Sequence, residues 1–310
     1  MKYLVTGGAG FIGSNLVEEL LKRKHTVRVL DNFATGRREN IRPFMSQIEL
    51  IEGDFRSYHI VREAVDGIDF VLHQGALPSV PRSVKDPITS NQVNVEGTLN
   101  ILDAALDAGV KRVVFASSSS IYGDSEVLPK QEDMFPNPLS PYAVSKMAGE
   151  KYCQVFARIY GLHTVALRYF NVFGPRQDPT SQYSAVIPKF IKAILKDKQP
   201  TIYGDGKQSR DFTFIQNVVE GNILATEADF PAGMVFNCAC HGRTDLNELV
   251  AAINKILGKK VKPLYTDARP GDVKHSFADI ERIGKYMGFK PSVQFEEGLQ
   301  KTVEWYQTND

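Results

Sequence analysis

Short apolar runs recur through the first half of the chain, each separated from the next by a stretch with helical spacing. KYLVTG, TVRVLD, IELIEGD, DFVLHQGA and RVVFASS place Val, Ile, Leu and Phe on consecutive positions, the pattern of strands buried on both faces. Between them, SNLVEELLKRK, SYHIVREAVDG and SNQVNVEGTLNILDAALDAG repeat apolar residues at the period of a helix. PYAVSKMAGEKYCQVFARIYG continues the series as a helix and HTVALRYFNVFG as a strand. Parallel strands joined through helices need right-handed crossovers, which put helices on both faces of one sheet. The rhythm therefore predicts an α/β fold, a Rossmann-like doubly wound parallel sheet. After about residue 175 the rhythm breaks into loops such as GPRQDPTSQ, YGDGKQSRDF and DARPGDV, separated by helices such as LNELVAAINKILG. That segment reads as a smaller α/β lobe carrying functional loops.

Several classes of function are disfavoured. With 37 Lys and Arg against 36 Asp and Glu, no strong field favours nucleic acid or an acidic membrane surface. Cys153, Cys238 and Cys240 are too few for a disulfide framework and read as core cysteines. The six histidines form no ligand motif, so no metal is expected. MKYLVT runs straight into the first strand, and no apolar run of about 18 residues occurs, so a soluble cytoplasmic protein is expected.

Gly7, Gly10 and Gly13 form GxxGxxG between the first strand and the first helix. Glycines there permit a tight turn, let backbone approach a pyrophosphate, and present the free N–H groups of a helix start to phosphate. Asp31 closes the second strand, where a carboxylate accepts both ribose hydroxyls of NAD and repels a 2′-phosphate. Arg37 and Arg38 follow, which keeps NADP open. Asp54, after the third strand, either bonds the adenine amino group or caps a helix. Residues 1–175 thus read as an NAD-binding Rossmann domain. Residues 176–310 read mainly as a substrate lobe, with some chain crossing back.

Tyr142 and Lys146 lie four apart at the start of a helix after Pro141, so they share one face. A phenol is a poor base at neutral pH, and a neighbouring ammonium together with a positive nicotinamide ring is expected to lower its pKa. Upstream, VVFASSSSIYG carries four consecutive serines at a strand end.

TGGAGFIGSN, LDNFATGRREN, SSSSIYG, SPYAVSK, RYFNVFGPRQ, GDGKQSRDF and RPGDVKHS resemble the extended short-chain dehydrogenase/reductase family, in its branch of nucleotide-sugar epimerases and dehydratases. The resemblance covers essentially the whole chain and implies a catalytic Ser118, Tyr142 and Lys146. Ser118 is the serine four residues before Tyr122 of the YG pair, and Ser119 is expected to line the sugar pocket. Ser117 and Ser120 are expected to bond backbone or solvent. Dehydratases of the family carry Asp-Glu at the positions of Ser119 and Ser120, and decarboxylating relatives commonly keep the Glu. This chain has neither, which points to 4-epimerisation of a UDP-hexose through a 4-ketone. A UDP-uronate epimerase or decarboxylase is the alternative, and a non-catalytic NAD(P)-sensing protein a further one.

The resemblance also implies NAD contacts from Phe11, Ile12, Asn32, Phe55, Gln74, Asn94 and Phe170, beside the glycines, Asp31, Asp54, Tyr142 and Lys146. For the UDP-sugar it implies Ser79, Asn171, Gln177, Ala185, Val186, Tyr203, Arg210, Arg269 and Asp272, with the two arginines on the diphosphate. Seven residues after Arg269, Ser276 takes the place of a side chain that abuts the sugar C2 substituent. A serine there leaves room for an N-acetyl group, as in epimerases of UDP-N-acetylglucosamine. Pro78, where some relatives have Gly, stiffens the Ser79 loop. Family members pair two helices with their copies, so a homodimer is expected through Val95, Leu99, Leu102, Val155, Phe156 and Ile159.

Overall fold

The computed structural model describes residues 1–178, 186–267 and 274–309. Ala185, Arg269 and Asp272 lie outside the described residues. Six strands of the central sheet are β1 (Lys2–Thr6), β2 (Thr26–Asp31), β3 (Ile48–Glu52), β4 (Phe70–His73), β5 (Arg112–Ser118) and β6 (Thr164–Tyr169). The seventh is Met234–Cys238, and the spatial order is Met234–Cys238, β6, β5, β4, β1, β2, β3. Every neighbouring pair is parallel. The doubly wound α/β fold predicted from the alternation is the one found.

Strand alternation distributes the apolar runs to two cores. On one face Val5, Val29, Leu72, Val114 and Leu167 pack against Leu16 and Leu20 of helix α1 (Phe11–Lys22). On the other, Leu4, Leu30, Val71, Val113 and Phe115 meet the helices Tyr58–Val65 and Gly97–Asp107 through Val61, Ile101 and Leu102. All of these are buried, each side chain contributing roughly 1.5–3 kcal/mol. The sheet order reverses direction between β1 and β4, so a crevice opens beyond their carboxyl ends.

Two stretches read as single helices carry an interruption. Wide turns at Gln92–Glu96 and Phe156–Tyr160 break the i→i+4 ladder before Gly97–Asp107 and after the helix Pro141–Val155. Both are π-type turns, which hydrophobic period alone does not reveal.

The second half contributes helices Val186–Leu195, Ile215–Glu227, Leu246–Leu257 and Phe295–Asn309. Asp245 and Glu248 form a capping box at the start of Leu246–Leu257. A small sheet sets Ser209–Arg210 between Thr244–Asp245 and His275–Ser276. Cys153 and Cys238 are buried in the core as expected, while Cys240 is partly exposed. No helix among the described residues is long and apolar enough to cross a membrane.

Candidate active site

The glycine loop is shaped by contacts that leave no room for a side chain. A Cβ on Gly13 would stand 2.1 Å from the Gly7 carbonyl oxygen and 2.8 Å from Gly8 Cα. Gly7 has φ +66 and would press a Cβ within 2.8 Å of Gly75 Cα, in the loop after β4. Helix α1 starts at Gly10 with no side chain capping it and no acidic residue in its first turn. Its first N–H groups, at Phe11, Ile12 and Gly13, and the positive end of its dipole face the crevice without a protein anion. Such a start fits the diphosphate of a dinucleotide.

Asp31 stands at the end of β2, with its carboxylate accepting from the N–H groups of Ala9 at 2.9 Å and Phe33 at 2.8 Å. Burial pushes its pKa up, and these two bonds hold it back. A carboxylate fixed to the glycine loop is placed to accept ribose hydroxyls. Asn32 donates to Asp54 at 3.0 Å, and Arg56 grips the Asp54 carboxylate and lowers its pKa. Asp54 therefore ties loop to loop at the crevice edge. Arg37 pairs with Asp178 at 2.6 Å, while Arg38 pairs with Glu52 and lies over the Phe33 ring. Both arginines are already engaged by carboxylates, an arrangement that suits NAD better than a 2′-phosphate.

Around β4, Gln74 donates to Asn222 at 3.0 Å and accepts from the Tyr169 hydroxyl at 3.2 Å. Asn94 exchanges hydrogen bonds with the backbone of Leu77 and donates to Ser145, so it fixes the loop that leads to Ser79. Phe55 and Phe170 are buried, packed on His73 and Tyr122. They shape the walls by volume.

Ser118, Tyr142 and Lys146 come together where β5 ends beside the helix Pro141–Val155. Ser140 caps that helix through Ala143 N–H, and Pro141 occupies its first turn. The Ser118 side chain faces the Tyr142 phenol and works to lower its pKa. Lys146 donates to the Ala116 carbonyl at 2.8 Å, with its nitrogen 5.9 Å from the Tyr142 ring centroid. Burial pushes the Lys146 pKa down to about 8. Burial likewise raises the Tyr142 phenol above its usual value, against which the Ser118 hydroxyl works.

The serine run also departs from expectation, because Ser117 and Ser120 bond side chains. Ser117 donates to Glu150 Oε1 at 2.6 Å, and Ser120 donates to Ser118 Oγ at 2.9 Å. Ser117 is buried, so its hydroxyl is satisfied by the buried carboxylate of Glu150 rather than by solvent. At residue 120 a single 3-10 turn, Ser119–Tyr122, folds the chain back over Ser118.

A cleft of about 280 Å³ opens in the chain that follows β6, lined by Asn171, Val186, Tyr203, Arg210 and Phe212 among others. Asn171 follows β6, whose Tyr169 is in register with Ser118. It adopts φ 36 and donates to the Asp211 carbonyl at 3.2 Å. Arg210 donates to the carbonyls of Ser209 and Lys274. Ser276 stands in register with Arg210 on the adjacent strand. Ser79 caps the helix Val80–Lys85 with φ 98, a left-handed conformation that a serine adopts only under constraint. Gln177 donates to the Val172 carbonyl, while its Oε1 is buried without a partner. Ser119 lies beside Ser118, partly exposed.

The family model described as the NAD dependent epimerase/dehydratase family matches residues 3–239. The chain belongs to this family. Its dinucleotide is NAD, which the uncapped α1 start and the Asp31 carboxylate fit. A UDP-N-acetylglucosamine 4-epimerase from Methanobrevibacter ruminantium, solved with UDP-N-acetylmuramic acid, is 41% identical with a TM-score of 0.95, covering 100% of this chain and 99% of that one. A UDP-glucose 4-epimerase from Thermus thermophilus, solved with NAD, is 37% identical with a TM-score of 0.90 over 100% of both chains. A putative UDP-glucose 4-epimerase of Methanocaldococcus jannaschii is 37% identical over 309 residues, 99% of each chain.

Sequence reasoning passed over two elements of the site. One is Glu150, which holds Arg168 through two bonds of 2.8 Å as well as Ser117. Its signal was present: Glu150 lies one turn beyond Lys146 on the same helix face, and Arg168 is a lone charge inside the strand TVALRY. The other is Asp211, fully buried, whose carboxylate accepts from Cys240 N–H and Ala278 N–H. Burial pushes it up to about 6, and it fastens the Arg210 strand to two loops of the substrate half. An Asp following an Arg in SRDF carries no such signal.

Proposed function

We propose that this protein is an NAD-dependent UDP-hexose 4-epimerase that accepts N-acetylated and plain UDP-hexoses. The carrying observation is that Ser118, Tyr142 and Lys146 converge at the end of β5 with no carboxylate in the serine run. Glu150, the nearby acid, is buried under Arg168 and Ser117 and is spoken for. Elimination or decarboxylation calls for an acid or base beside the sugar that residues 119 and 120 do not provide. Tyr142 takes the proton of the sugar 4-hydroxyl, Ser118 donates to the same oxygen, and Lys146 places positive charge behind the phenol. NAD, when bound by the glycine loop and Asp31, would supply the hydride acceptor for C4 and the hydride donor for the ketone, the sugar turning between the two so that its other face is presented. Residues 1–175 hold the cofactor on this reading. The remainder mainly holds the UDP-sugar, with Arg210 and Asn171 toward the diphosphate. Incubation with NAD and each of several UDP-sugars, UDP-glucuronate included, followed by NMR of the products, tests the assignment. Formation of the C4 epimer supports it, and a decarboxylated or dehydrated product overturns it.

Ser276 is our candidate for the C2 gate. Ser276→Tyr is expected to lower turnover of UDP-N-acetylglucosamine by on the order of 10²-fold while sparing UDP-glucose, since a ring fills the space an acetamido group needs. Equal effects on both sugars in steady-state kinetics would remove Ser276 from this role.

A homodimer is part of the same proposal, with its contact residues revised. Leu102 and Phe156 are buried within the chain, in the second core, and are free for no partner. Val84, Ile88, Val144, Val155 and Ile159 are the exposed apolar residues on and around the Pro141–Val155 helix, Ile88 at 71% and Ile159 at 66%. Light scattering at micromolar concentration is expected to give twice the chain mass, and Ile159→Asp to shift it toward one. A wild-type monomer would count against the dimer.

A further inference from the structure

A serine hydroxyl has one proton to donate and two lone pairs to accept with. At Ser118 both accepting positions are filled by a single residue. Ser120 donates its backbone N–H to Ser118 Oγ at 3.2 Å and its hydroxyl to the same oxygen at 2.9 Å. The 3-10 turn Ser119–Tyr122 makes this possible, with Ser118 as its cap. What remains to Ser118 is its proton, and the phenol it faces is that of Tyr142, whose pKa it works to lower. Ser117 is held in the opposite direction by Glu150, so the strand end cannot rotate to exchange the two hydroxyls.

We propose that Ser120 is a positioning residue: by occupying both lone pairs of Ser118 it commits the single Ser118 proton to be donated, toward the Tyr142 oxygen in the free protein and toward the sugar oxygen when substrate is bound. The catalytic consequence rests on the epimerase reading. The orientation of Ser118 does not. A donor aimed at a phenolate stabilises it, so Ser120 acts through Ser118 to ease deprotonation of Tyr142. This offsets part of the burial that raises the phenol.

The other polar neighbours leave this role unfilled. Lys146, on the same helix, gives a proton to Ala116. His73 on β4, held neutral by burial, lies between Thr6 and Thr98. Glu150 is paired with Arg168 of β6. On the Val80–Lys85 helix, Ser83 Oγ accepts from the Tyr142 backbone N–H, and Arg82 and Lys85 supply charges common to wild type and variant.

The test compares wild type with Ser120→Ala and Ser120→Thr. With 13C-labelled tyrosine, the Tyr142 ring signal, identified by its loss in Tyr142→Phe, is titrated alongside the pH profile of kcat. In Ser120→Ala the titration and the acid limb are expected to move up together by roughly half to one pH unit, the worth of one ordinary hydrogen bond. The kcat at neutral pH then falls about three- to tenfold with KM unchanged. Ser120→Thr, which keeps the hydroxyl, restores both. The proposal is overturned if Ser120→Ala titrates and turns over like wild type. It is equally overturned if the variant instead melts earlier and binds NAD more weakly without rescue by Thr. If wild type converts no UDP-sugar, the epimerase reading fails while the Tyr142 titration still decides the role of Ser120.

Discussion

Tyr142→Phe is expected to lower turnover of UDP-sugars by about 10²–10⁴-fold while leaving NAD binding unchanged. The lost atom is the phenolic oxygen, which faces Ser118 and, on the proposed reading, takes the 4-hydroxyl proton. The ring remains, so the half-buried volume at the start of the helix is kept. The Lys146 bond to Ala116 does not involve the phenol and should persist. Loss of kcat with intact NAD binding by fluorescence is the expected pattern. Turnover near that of wild type would mean that another group removes the proton.

The second large effect is on stability. Glu150→Ala removes the acceptor of two Arg168 bonds and of the Ser117 bond at once. The Arg168 and Glu150 side chains are 4% and 2% exposed, so the stranded guanidinium cannot reach water. Breaking one partner of a buried pair costs about 3–5 kcal/mol. In a chain of this size that lowers the melting temperature by roughly 5–8 °C. Replacing both partners, as Glu150→Leu with Arg168→Met, is expected to cost less than Glu150→Ala alone, because no buried charge is left unpaired. If thermal melts rank the double variant as the worse, the pair contributes more than mutual neutralisation.

Why the cofactor half was more legible than the serine run follows from these details. The two-sided apolar strands, the glycine turn and the acid closing β2 each express a local requirement written in neighbouring residues. Gly13 must be glycine because it stacks on Gly7 six positions earlier, and both lie in one decapeptide. The job of Ser117 is set instead by a partner far along the chain, Glu150, 33 residues away. Nor does hydrophobic period distinguish the wide turn at Gln92–Glu96 from a regular helix. Leu102 and Phe156, expected at a dimer surface, are covered within the chain for a related reason, since a helix pressed between a sheet and a second helix buries a wider arc than one stripe.

The edge strand Met234–Cys238 bears on how such chains can be recombined. It comes from the half of the sequence that we propose mainly holds the UDP-sugar, yet it completes the sheet by pairing with β6 from Val165 to Tyr169. Two chains of this kind could not exchange specificities by a single crossover near residue 175. The transplanted tail would bring a foreign strand to a native β6, and the mismatch would fall on the register that sets Tyr169 beside Ser118. A graft that respects the fold takes the cleft as two separate inserts, one before and one after the edge strand, and leaves the sheet with its original owner.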